Sequence, residues 1–118
     1  MDRLAVSREL LTAAKELTAG DMRLIVRGVG RIFQLEVVVY DEGDIGRAKR
    51  MLRRIVKSAV SFNPRGGEAL TVMPGRGALK GTTLYTVSQE IGPANDDANG
   101  YQLKQELAPF DMLDPYWK

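Results

Sequence analysis

Six basic residues lie close together in the middle of the chain, with no acidic residue among them: Arg47, Lys49, Arg50, Arg53, Arg54 and Lys57. Clustered Lys and Arg side chains attract phosphates, and a helix can present them along a nucleic-acid backbone or in a major groove. The candidate nucleic-acid-binding residues are therefore Arg47, Arg50, Arg53, Arg54 and Lys57. Two simpler interpretations are the solvated face of an amphipathic helix and a surface for an acidic protein partner.

A second pattern resembles the spacing of a calcium-binding loop. Oxygen-bearing side chains occupy its positions 1, 3, 5 and 12: Asn95, Asp97, Asn99 and Glu106. Calcium prefers such hard oxygen ligands, and Gly100 stands at position 6, where the loop turns sharply. The pattern has Asn instead of Asp at its first position, and Gly92-Pro93 does not favour an entering helix. These residues are a weak calcium candidate, and a polar turn is the simpler interpretation.

The composition argues against most enzyme chemistry. The chain has no His and no Cys, which excludes a Ser-His-Asp triad, a thiol nucleophile and zinc ligation by His or Cys. Lys80 precedes Gly81 where a phosphate-binding P-loop needs Gly before Lys, so that motif fails. We predict no catalytic residue, no cofactor and no metal beyond the calcium candidate; the protein is not expected to be an enzyme.

The first half of the chain predicts a helix, a hairpin and a second helix. Val6, Leu10, Ala13 and Leu17 form one stripe of a helix over residues 3–19. Alternating apolar residues predict a β-hairpin over residues 22–40, with Gly28-Val29-Gly30 as its connection. Residues 44–60 predict an amphipathic helix that starts at Asp44 and carries the bases opposite its apolar stripe.

The remainder predicts a second hairpin and an arm. Strands are expected over residues 68–73 and 82–90, after a loop at Asn63-Pro64 and Gly66-Gly67. Beyond Pro93 the periodicity fades, so we predict an extended C-terminal arm with one or two helical turns around residues 101–107. The fold class is α+β with a mostly antiparallel sheet, divided into a domain at residues 1–92 and an arm at 93–118.

The charges and aromatic residues are unevenly distributed. Residues 1–60 carry a net charge of +4, whereas residues 90–118 hold six acids and two bases. Four of the eight aromatic residues lie in the last 18 positions. Large rigid side chains on an acidic arm are typical of an anchoring segment, which wraps its own domain or docks on a neighbouring subunit. The candidate interface residues are Leu10, Leu17, Phe110, Tyr116 and Trp117.

The stretch VSRELLTAAKELTA at residues 6–19 resembles short amphipathic N-terminal helices of tailed-bacteriophage proteins. The resemblance implies a small head, connector or tail component of a virion, located in the virion or in the host cytoplasm. The sequence thus predicts a non-enzymatic assembly subunit that forms a homo-oligomer or a larger protein assembly. The alternative is a nucleic-acid-binding module that uses the basic helix. No membrane partner is expected, because no long apolar run and no signal-peptide pattern is present.

Overall fold

A computed structural model describes residues 22–29, 31–75 and 80–113 of the chain. The strands in this part are β1 (Arg23–Val29), β2 (Ile32–Val39), β3 (Phe62–Pro74) and β4 (Thr83–Pro93). The helices are α1 (Ile45–Ser58) and α2 (Gly100–Leu107), with 3-10 segments at Glu42–Asp44 and Ala108–Leu113. The predicted α+β class and antiparallel sheet are confirmed. The predicted helix at residues 3–19 lies outside the described residues.

The four strands form one antiparallel sheet in the order β1-β2-β4-β3. Alternation on β2 places Leu35, Val37 and Val39 on the buried face, where they join the core. The hairpin connection is shorter than predicted, because Gly28 and Val29 still pair with β2. Gly28 has φ 153°, and a Cβ there would lie 2.5 Å from the carbonyl oxygen of Ile32, so only glycine fits without strain.

Helix α1 forms the second layer of the fold by packing over β2 and β4. Its Ala48, Leu52 and Ile55 side chains are fully buried, as the predicted apolar stripe requires. Burial of a Leu or Ile side chain stabilises the folded state by about 1.5–3 kcal/mol, so this stripe fixes the helix on the sheet. The basic residues of α1 consequently lie on the side away from the core.

The loop predicted at residues 63–67 is wrong, because these residues belong to strand β3. The strand begins at Phe62, and Gly66-Gly67 belong to an irregularity in its pairing with β4. Arg65 lies opposite Glu90 and Ala69 lies opposite Ser88, so three residues of β3 face one residue of β4. Pro64 is compatible with this strand because β3 is an edge of the sheet, where a missing N–H costs no inner hydrogen bond.

The helical turns predicted around residues 101–107 are present as α2, whereas residues 108–113 form a 3-10 segment and not the predicted extended arm. Asn99 caps α2 by accepting a hydrogen bond from the Gln102 amide. Leu103 and Leu107 are fully buried and belong to the same core as the sheet and α1. Spacing by four residues places both leucines on one helix face, which is why this short helix packs inward. The division into residues 1–92 and 93–118 stays a prediction.

Candidate protein-interaction site

Strand β3 carries the most exposed apolar side chains of the described sheet. Leu70 and Val72 share the helix-covered face of the sheet, since they lie opposite Val87 and Tyr85 of β4. Val72 is 56% exposed, and Leu70 and Met73 are exposed to a similar extent. Among the described strands, β3 pairs with β4 alone, so its outer backbone edge has no strand partner there. An exposed apolar edge strand is a template for adding another chain.

The irregular part of β3 is held by one buried side chain. Gln89 of β4 is 6% exposed, and its Nε2 donates to the carbonyl oxygens of Arg65 at 3.3 Å and Gly66 at 3.1 Å. The same nitrogen lies 2.9 Å from the carbonyl oxygen of Glu90. These bonds satisfy carbonyl groups that the irregular pairing takes out of the strand ladder. The bulge is therefore a defined structure.

The bulge also brings Glu68 to α1. The Arg53 Nε lies 3.0 Å from Glu68 Oε2, and Arg53 Nη2 lies 3.0 Å from Oε1. This paired arrangement matches the planar fork of a guanidinium to a carboxylate. Hydrogen bonding to Glu68 raises the pKa of Arg53 further above its ordinary value. One of the predicted phosphate-binding residues thus already has an acidic partner within the fold.

A groove lies between the C-terminal part of α1 and β3. Its volume is about 490 Å³, and apolar surface predominates in its lining. Val56, Val60, Phe62 and Pro64 supply that apolar lining, and Lys57 lies at the polar side. Val60 is 76% exposed, although it is a large apolar residue. A concave apolar surface with a few polar groups is typical of a binding site.

The basic face of α1 is exposed, as the sequence suggested. Arg47 pairs with Asp44 at 3.2 Å, and Arg53 pairs with Glu68. Arg50, Arg54 and Lys57 form no ion pair with any residue in the described ranges. These three exposed bases, with the half-buried Lys49, leave a positive surface next to the groove.

Three of the four calcium-candidate side chains, all but that of Asp97, accept hydrogen bonds from backbone amides. Asn95 Oδ1 accepts from the amides of Asp97 at 2.9 Å and Ala98 at 3.0 Å. Asn99 caps α2, and Glu106 Oε1 accepts from the Ser61 amide at 3.0 Å. Within the described ranges, no group of three or more acidic side chains is placed to hold a metal ion. These contacts fit the polar-turn interpretation of the motif.

The predicted interface residues divide into two groups. Leu10, Leu17, Tyr116 and Trp117 lie outside the described residues. Phe110 is partly buried and packs against the core of its own chain. The role of all five residues in an interface stays a prediction. The exposed β3 side chains and Val60 were missed, although the alternation of Leu70 and Val72 was visible in the sequence.

The sheet face opposite α1 contains a partly buried ion pair between Arg27 of β1 and Glu36 of β2. Burial raises the pKa of the Glu36 carboxyl, and the charge and hydrogen bond of Arg27 lower it by less. Glu36 is therefore a carboxyl that the fold disfavours in its charged form. It lies on the face away from the groove, so it takes no part in that site.

Comparisons with known proteins did not assign the chain to a family. No protein-family model matches the chain, and neither the curated proteins nor the solved structures gave a match. In the part of the chain that the structure describes, no helix is long and apolar enough to cross a membrane. The function is therefore argued from the geometry of the site.

Proposed function

We propose that the protein is a non-enzymatic assembly subunit that binds neighbouring protein chains through β3 and the groove beside it. The observation that carries this proposal is the exposure of Leu70, Val72 and Met73 on an edge strand. Natural proteins protect sheet edges with charges, prolines, bulges or covering segments. Strand β3 has Pro64 and a bulge in its first half, whereas positions 69–73 hold neither a charge nor a proline. Because residues 6–19 resemble N-terminal helices of phage proteins, we propose that the assembly to which this subunit belongs is a virion.

The test is the oligomeric state of the full chain, measured by light scattering coupled to size exclusion. We expect the wild type to form an oligomer and Val72→Lys to form smaller species, because a charge on the strand edge opposes pairing. Val72 is already half exposed, so its replacement is not expected to disturb the core.

The control is Tyr101→Lys, which places the same charge at an exposed position of α2. This variant should keep the wild-type mass, and both variants should keep the wild-type circular dichroism. A wild-type chain that stays monomeric over the accessible concentration range contradicts self-assembly. An oligomer that Val72→Lys leaves unchanged removes β3 from the interface.

A nucleic-acid-binding function is the second candidate, and the exposed bases Arg50, Arg54 and Lys57 favour it. For this function we expect the double variant Arg50→Glu, Arg54→Glu to weaken binding to double-stranded DNA. Loss of two phosphate contacts makes the negative slope of log K against log salt shallower by about 1.8. Fluorescence anisotropy at several salt concentrations measures this slope. Wild-type binding that is absent even at low salt would reject this candidate.

A further inference from the structure

We propose that the groove between α1 and β3 binds the C-terminal segment Asp114–Trp117 of a second copy of this chain. The contact would be head to tail, because the segment and the groove are different surfaces of the same protein. Such a heterologous contact builds a ring when its rotation closes and a filament when it does not. This inference rests on the proposed assembly function and names the partner of its groove.

The groove suits an aromatic anchor. Val56, Val60 and Phe62 supply apolar surface, and the volume of about 490 Å³ lies within the range of pockets that enclose small ligands. Trp and Tyr are the residues that most often carry the binding energy of an interface. Tyr116 and Trp117 are adjacent in the C-terminal segment, and Trp117 is the sole Trp of the chain.

The charges of the two surfaces are complementary. Lys57 lines the groove and has no ion-pair partner within the described ranges, and Arg50 lies two turns earlier on α1. Asp114 precedes the aromatic pair and is the one charged residue of positions 114–117. Asp114 of a segment entering this groove therefore meets the positive charge of Lys57.

The short length of the segment favours binding to the groove of a neighbouring chain over binding to the groove of its own chain. The 3-10 segment Ala108–Leu113 contacts β1, whereas the groove lies at β3, the opposite edge of the sheet. Three strand spacings separate these edges, about 14 Å. Helix α1, about 10 Å across, packs on β2 and β4 between them. Four extended residues span about 13 Å, which is too short to carry Trp117 around α1.

The experiment uses Trp117 fluorescence in the full chain. Wild-type emission should shift to the blue as concentration rises and the Trp enters the apolar groove. Val60→Lys should abolish this shift, because it places a charge in the groove at a side chain that is largely exposed. Tyr101→Lys is the matched control and should keep the shift.

Complementation then tests the head-to-tail geometry. Both variants are made in the Val72→Lys background, which blocks pairing through β3. Trp117→Ala keeps an intact groove, and Val60→Lys keeps an intact segment, so an equimolar mixture restores one contact per pair. We expect a heterodimer that does not grow further, with the blue shift recovered in the mixture. Growth of the mixture into larger species would contradict a single groove-to-segment contact.

Other outcomes overturn the inference. A blue-shifted emission that persists on dilution to the monomer places Trp117 in its own chain. An emission that stays solvent-exposed in the assembled wild type excludes the groove as its site. An oligomer that neither Val60→Lys nor Trp117→Ala affects leaves the assembly function standing and removes this contact. A wild type that never assembles rejects both the inference and the proposed self-assembly.

Discussion

Arg53 of α1 and Glu68 of the β3 bulge form a two-point ion pair, with both N···O distances at 3.0 Å. The pair joins the basic helix to the edge strand across a separation of 15 residues in the sequence. It connects the two surfaces to which we assign function. It also removes one positive charge from the face that was predicted to bind phosphates.

We predict that Glu68→Gln strengthens binding to polyanions by releasing the Arg53 charge. The variant should elute from a heparin column at higher salt than Glu90→Gln, which removes the same charge on β4. Glu90 lies opposite Arg65, on the sheet face away from α1. Equal elution of the two variants would indicate that only net charge matters and that the α1 face is not a specific binding surface.

We predict that Gln89→Leu destabilises the fold by about 1–3 kcal/mol, because it leaves the carbonyl groups of the bulge without their buried donor. The free energy of unfolding in urea measures this effect. Gln34→Leu is the control: Gln34 is exposed on β2, and its replacement should change stability by less than about 0.5 kcal/mol. Similar losses in the two variants would contradict a structural role for the Gln89 bonds.

The parts of the fold that local periodicity encodes could be predicted from the sequence, and the rest depends on distant contacts. The apolar stripe of α1 predicted its buried face, because Ala48, Leu52 and Ile55 repeat at three and four residues. The Gly-Gly pair on its own is typical of a loop, and the Gln89 side chain that bonds the bulge lies more than twenty residues later in the sequence. Helix α2 is short and follows Pro93, so its packing through Leu103 and Leu107 was not evident.

The candidate site was predicted only in part for the same reason. Sequence identified Arg53 as one base in a cluster, but its acidic partner Glu68 lies on another element. The groove combines residues of α1, β3 and β4, which no local pattern brings together. The charged residues of the site could therefore be identified from the sequence, whereas the shape of the groove became visible only in the folded structure.

We predict that Asn99→Ala lowers stability by about 1 kcal/mol, since it removes the N-cap of α2. The loss should be the same with and without added calcium, because the Asn99 oxygen is occupied by the Gln102 amide. Thermal unfolding of the wild type and the variant in both conditions measures this. A rise in Tm with calcium that Asn99→Ala abolishes would restore the calcium site.

We predict that Glu36 makes the stability of the fold depend on pH. Burial raises the Glu36 pKa above the ordinary glutamate value of 4.5, so the folded chain takes up this proton at a higher pH than the unfolded chain. The stabilisation from this group is fully present below pH 4.5 and is lost as the pH rises through the folded pKa.

Glu36→Gln isolates this contribution, because glutamine resembles the protonated carboxyl at every pH. The stability of the wild type relative to Glu36→Gln should rise as the pH falls from 7 toward about 4.5, the opposite of the usual behaviour of a salt-bridged carboxylate. Arg27→Gln removes the cation that offsets the cost of burying the Glu36 carboxylate. This variant should therefore lose more stability relative to the wild type at pH 7 than at about pH 4.5. Urea unfolding at several pH values measures both differences. Differences that stay constant across this range would show that Glu36 titrates alike in the folded and unfolded chains.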